Sequence, residues 1–244
     1  MLSGFEISLI TLFLVIIQSI IGVGILVIGT PFYLYLDYEI TEVIFILLPI
    51  SITCSLTNLI FFRFFKNKLK DITKYNVAIK FFLYCLPAIL IGVIILKEFH
   101  SLINFDYVVS FVILFSLFIF KFYRKNMLSK KIEKIFLILI GAVHGFTNSG
   151  GTLLSLFFSN IRTKNTSRVN ITIFYLFLAL FQYLFTIYIF KVYNFYEYFN
   201  YYLLIIILSG VIIGNFIFRY IDKKKFKFII NLLVIISCIF LIFS

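Results

Sequence analysis

The sequence predicts an all-α polytopic membrane protein made of two inverted repeats, each a broken, re-entrant helical hairpin followed by three transmembrane helices. Three observations predict it. Hydrophobic residues make up 63% of the 244 residues and mean hydropathy is +1.12, with apolar runs longer than the roughly 20 residues needed to cross hydrocarbon. Gly22-Val23-Gly24, with Pro31 after it, interrupts one long apolar stretch, and Asn148-Ser149-Gly150-Gly151 interrupts another 126 residues later. The basic residues fall on one side of the membrane only if the second copy is inserted upside down relative to the first.

Eight apolar stretches can be read, at 5–36, 40–62, 75–96, 102–120, 135–159, 169–190, 200–218 and 228–243. The first follows no Lys or Arg and no small-residue cleavage site follows it, so it reads as a first membrane segment and not a removed signal. The first and fifth are the longest and carry glycines and polar residues near their middles. The other six have the length of ordinary spans. With eight simple spans only 13 of 22 Lys and Arg face the cytoplasm. If the first and fifth stretches instead enter and leave on one side, each half has three spans, an odd number, and the second half inverts.

That arrangement places 20 of 22 basic residues inside, including Arg63 to Lys80, Lys121 to Lys134, and Arg162, Lys164, Arg168, Arg219, Lys223, Lys224, Lys225 and Lys227. Only Lys97 and Lys191 face out, with seven of the ten acids. The repeats are then 1–126 and 127–244 within one membrane domain. A version with a hairpin only at the fifth stretch stays open, because the acidic N-terminus does not settle the first.

Non-helical backbone at membrane depth is tolerated where it is buried in protein or lines a cavity. Two breaks at equivalent places therefore point to an internal polar site, whereas glycines serving only close helix packing would be the plainer reading of one break. The stretch Gly141–Thr152 is the most polar of the buried segments. The expected binding residues are Gly22, Gly24 and Thr30 from the first break, and His144, Thr147, Asn148, Ser149, Gly150, Gly151 and Thr152 from the second. A half-helix starting near Gly150 would aim its free N–H groups and positive dipole end at the site, which suits an anion. With almost no ionisable residues mid-span, the attraction comes from such dipoles and neutral donors, or from Arg or Lys at the cytoplasmic rim. His144 reads equally as a proton carrier or ligand and as a neutral tie between helices. Asn58, Thr53, Thr57, Asn170, Thr172 and Asn215 read first as caps or bridges.

The net charge of +12 would suggest nucleic acid in a soluble chain; here it follows from short cytoplasmic loops, and no nucleic-acid partner is expected. Cys54, Cys85 and Cys238 lie apart inside apolar segments and read as small hydrophobes. No Cys/His metal spacing, phosphate loop or nucleophile elbow is present in the sequence. Neither enzymatic activity nor a cofactor is expected.

Ile21-Gly-Val-Gly-Ile-Leu-Val-Ile-Gly-Thr-Pro31, Val143-His-Gly-Phe-Thr-Asn-Ser-Gly-Gly-Thr-Leu-Leu154 and the ending Gly214-Asn-Phe-Ile-Phe-Arg-Tyr220 resemble the sulfite exporter TauE/SafE family over nearly the whole chain. The resemblance implies a multi-pass permease in the cell (inner or plasma) membrane, moving sulfite, a sulfonate or a related small organic anion. The expected partners are that anion and membrane lipid, with a homo-oligomer left open. The competing expectation is a non-transporting membrane scaffold or anchor subunit, which needs no polar site at the midplane; a channel would need a continuous polar lining.

Overall fold

The computed structural model describes residues 4–66, 75–122, 130–159, 163–191 and 201–242. Lys68, Lys70, Lys74, Arg124, Lys125, Arg162 and Glu197, assigned to loops above, lie outside the described residues. All regular structure described is helical: α1 Gly4–Ile21, α2 Ile25–Tyr35, α3 Ile40–Lys66, α4 Tyr75–Lys80, a π-helical turn Phe81–Cys85, α5 Leu86–Phe99, α6 Phe105–Phe122, α7 Lys130–Thr147, α8 Gly151–Ser159, α9 Lys164–Phe190, α10 Tyr201–Tyr220 and α11 Lys223–Ile242. Helices satisfy every interior N–H and C=O within the segment, which a bilayer demands. Among the described residues four helices are long and apolar enough to cross a membrane, within 40–63, 77–99, 164–190 and 202–220. Helices α6 and α11 have 18 and 20 residues, also near the length of a span.

Helix ends follow local chemistry. Glu42 in the first turn of α3 accepts from the Glu39 N–H (3.1 Å), one half of a capping box. Thr163 caps α9 by accepting from the Thr166 N–H (3.1 Å). Asp222 caps α11 by accepting from the Lys225 N–H (2.7 Å), a bond that holds its carboxyl below the usual carboxylate range. Pro87 sits at the start of α5. It cannot donate an N–H, and the π-helical turn lies immediately before it.

Both broken stretches fold back as hairpins. In the first, a Cβ on Gly24 would meet Gln18 N at 2.8 Å, and one on Gly29 would meet Leu14 Cδ1 at 3.1 Å. The partners move down α1 as the chain moves up α2, so the arms are antiparallel. In the second, Gly150 lies against His144, and the Phe136 and Phe157 rings stack at 5.8 Å. The first stretch is therefore a hairpin like the fifth.

The halves run in opposite directions. Arg168 lies over Phe62 and Tyr183 packs against Phe45, so α3 and α9, the first span of each half, are antiparallel. Packing repeats when the halves are exchanged: α1 lies along α10 as α7 lies along α5, and each second arm packs on the span that follows it. Both lengthwise pairs are sealed by glycine pairs four residues apart. A Cβ on Gly141 would clash with Cys85 O and one on Gly145 with Ile89 O. On α10, Gly210 faces Val15 and Gly214 faces Ser19 and Ile16 O. Small residues let backbones approach where lipid supplies no hydrophobic drive between helices.

Charge is segregated to the two ends. The Lys80–Glu133 ion pair (2.5 Å) joins α4 to α7, and Lys164 Nζ donates to the carbonyls of Phe218 and Ile221 at the end of α10. At the opposite end Asp37, Glu39, His100, Ser101 and Asn104 share a polar cavity of about 520 Å³. Large apolar side chains such as Phe13, Phe111, Ile205 and Phe216 are exposed along the flanks, as a lipid-facing surface requires.

Candidate functional site

The two breaks are built alike and in register. α1 ends at Ile21 and α2 starts at Ile25; α7 ends at Thr147 and α8 starts at Gly151, each 126 residues on. Gly22 has φ +101° and its N–H donates to Gln18 O at 2.7 Å. Asn148 has φ +60° and its N–H donates to His144 O at 2.9 Å. Both are left-handed helix ends, a conformation open to glycine and, next best, to asparagine.

At the first break Gln18 caps α2. Its Oε1 accepts from the Ile25 N–H (3.2 Å), and its Nε2 donates to Ser51 O and Ser55 Oγ on α3 (both 3.0 Å). The Leu26 N–H donates to the hydroxyl of Tyr175 on α9 (3.1 Å). Two leading N–H groups of α2 are thus held by neutral side chains that a stronger acceptor could replace. Gly22 lies against the Arg168–Thr172 turn of α9, so close that a Cβ would meet Ile171 and Thr172 at 2.9 Å and Arg168 O at 3.0 Å.

At the second break Asn148 Nδ2 donates to Thr30 Oγ1 on α2 (2.9 Å), so the breaks are tied to each other. Tyr175 touches both: its hydroxyl takes the α2 N–H, its ring lies against Gly151, and the His144 ring is 6.2 Å away. Val27 of α2 also lies against Gly151. Thr147 donates to Val143 O (2.8 Å), Ser149 to Thr147 O (3.1 Å) and Thr152 to Ser149 O (2.9 Å), so these hydroxyls brace the loop and the first turn of α8. Both ring nitrogens of His144 and Oδ1 of Asn148 are enclosed without a hydrogen-bond partner.

All ten expected binding residues are buried, so the region is closed to both faces in this state. The structure gathers Thr30, His144, Asn148 and Gly151 around Tyr175 and α2, while Thr147, Ser149 and Thr152 bond within the second break. Gly22 sits in a neighbouring polar cluster. Gly24 and Gly150 each press on the other arm of their own hairpin: a Cβ on Gly150 would meet His144 Cβ and Ile140 O at 2.6 Å. The close approach at Gly150 is therefore one of arm to arm.

Two residues emerge that the sequence reading did not single out. Tyr175 is one of 16 tyrosines in an aromatic-rich chain, and nothing local marks it. Arg168, read above as a loop charge, is 2% exposed on the second turn of α9, which begins at Lys164 and not at 169. Its Nη2 donates to Asn215 Oδ1, Asn215 Nδ2 donates to Asn58 Oδ1 (2.9 Å) and Asn58 Nδ2 donates to Ser19 Oγ (3.0 Å). Asn58 and Asn215 thus bridge α3 to α10, as expected of them. Among the described residues no Asp or Glu is buried, so the polar interior has a positive bias.

No curated protein and no solved structure matches the chain. The model of the family described as sulfite exporter TauE/SafE matches residues 7–241, nearly the whole length. With an all-helical membrane fold, two in-register breaks and a family model covering it almost end to end, the chain belongs to the sulfite exporter TauE/SafE family.

Proposed function

We propose that this membrane protein is a secondary transporter of a small anion (sulfite, a sulfonate or a related organic anion) that binds where the two broken hairpins meet. The observation that carries the reading is the acid-free buried interior at the junction of two half-helix N-termini. Such ends carry about half a positive charge each and present N–H groups outward. Around them lie polar atoms with no partner, on His144 and Asn148. An unmet buried donor, such as the N–H that the His144 ring carries, costs roughly 1–3 kcal/mol, and a bound anion relieves that cost. A scaffold subunit gains nothing from it.

The polar cavity at the acidic end supplies the outer approach. Tyr38 on its wall stacks edge-on against Tyr33 (5.2 Å), whose buried hydroxyl has no partner. Thr30, on the next turn of α2, holds Asn148. This line of polar groups leads from the cavity to the junction. The positive-inside rule places the cavity outside and the basic end in the cytoplasm of a cell (inner or plasma) membrane. Inverted repeats permit rocking of one half against the other around a fixed site. The halves 1–126 and 127–244 are the units that would move.

Thermal stabilisation of purified protein tests the anion reading. Sulfite or methanesulfonate at 100 times its Kd should stabilise by about 2.7 kcal/mol, and tetramethylammonium should not. Stabilisation by the cation alone would overturn the proposal.

A further inference from the structure

We infer that Arg168 is a direct ligand of the transported anion, its guanidinium donating to the solute's oxygens beside the first break. The inference rests on the reading that the solute is an anion, and it adds the residue that supplies the charge.

Arg168 is among the largest fully buried side chains. Its Cζ lies 4.4 Å from the Phe62 ring centre and 4.0 Å from that of Phe218. The two aromatic faces and the bond to Asn215 Oδ1 fix where the guanidinium lies. Asn215 is itself held by Asn58. Nε has no partner, and neither does the adjacent buried Ser167 hydroxyl. The carbonyl of Arg168 lies directly behind Gly22, so this turn of α9 backs the first break.

Among the described residues no Asp or Glu is buried beside this charge. The Lys80–Glu133 ion pair joins other helices, α4 and α7. The acid nearest in sequence to the α10 end, Asp222, is exposed and caps α11. The surroundings oppose a cation further. Arg168 lies in the second turn of α9, near the positive end of the helix dipole, and the first turn holds no acid. Lys164 lies four residues before it, a like charge on the same face. A residue kept only for packing would do better neutral, since a buried charge without a partner is strongly unfavourable. A planar cation that is clamped, oriented and left with a free donor matches an oxyanion with adjacent oxygens, as in sulfite, sulfonates and carboxylates.

The test uses the full chain in nanodiscs with sodium sulfite as probe. Arg168→Gln should weaken sulfite binding by roughly 30-fold or more, the usual effect of removing one member of a buried charge pair. Arg168→Lys, which keeps the charge and loses the fork, should weaken it by about 10-fold. Should Arg168→Gln fail to fold, the wild-type chain decides: in ¹⁵N-arginine-labelled protein the Nε–H resonance that Arg168→Lys removes should move with sulfite and saturate at the Kd for binding. Unchanged sulfite affinity in both variants, or an unmoved resonance at saturation, overturns the inference while leaving the anion reading intact. A wild-type chain that binds cations and no oxyanion overturns both.

Discussion

Replacing Gly22 by alanine tests how the first break is held. Gly22 has φ +101°, where a Cβ costs about 1–2 kcal/mol. That Cβ would also lie 2.9 Å from Ile171 Cγ2 and Thr172 Oγ1 and 3.0 Å from Arg168 O. Two of these atoms belong to β-branched side chains with little rotamer freedom and the third is backbone, so the neighbours cannot swing aside. Overpacking of this kind costs about 1–3 kcal/mol. The sum, about 2–5 kcal/mol, is a large share of a typical folding free energy of about 5–15 kcal/mol. Gly24 is the control. Its φ of 165° is extended, so Gly24→Ala meets only the crowding against Ile17 and Gln18, about 1–3 kcal/mol. Reversible unfolding in mixed micelles measures both. The geometric reasoning fails if Gly22→Ala lies within about 0.5 kcal/mol of wild type, a typical surface effect, or is milder than Gly24→Ala.

Tyr175→Phe leaves the Leu26 N–H without its acceptor and cuts the link from α9 to the first break; a loss of about 1–3 kcal/mol with reduced flux is expected, and unchanged flux would remove Tyr175 from the site. His144→Gln keeps a polar group in the enclosed space, so sulfite binding should persist within about 10-fold, the effect of one hydrogen bond; complete loss of binding with the fold intact would make the imidazole itself indispensable. Single cysteines at Asn165 and Lys224, in a chain otherwise free of cysteine, should react with an impermeant thiol reagent from the cytoplasmic side only. Labelling of either from outside would reverse the orientation assigned to the basic end.

The hairpins were legible because two independent signals agreed. The breaks recur at an interval of 126 residues, and the structure keeps that interval to the residue. Charge placement required an odd number of spans per half, and α3 and α9 do run antiparallel. Arg168 was not legible for a physical reason: positive-inside logic gives the same signal for a cation in a cytoplasmic loop and for one a turn inside a span. The start of α9 was misjudged likewise, since its charged first turn, Lys164 to Arg168, breaks an apolar run without breaking a helix. Tyr175 depends on a tertiary contact 149 positions away, at Leu26, which no local pattern encodes. Gly150 was read as backbone open to a solute, and in the structure it packs against His144 and Ile140. What approaches it, its own hairpin arm, depends on how the chain folds back.

Flux into proteoliposomes decides whether the chain moves a small anion. With purified chain reconstituted at known density and a gradient of radiolabelled sulfite imposed, sulfite movement should be saturable. Methanesulfonate and small carboxylates should compete with it, and potassium or tetramethylammonium should not. Sulfite movement no faster than in empty vesicles, together with selective movement of a cation, would contradict anion transport by this chain.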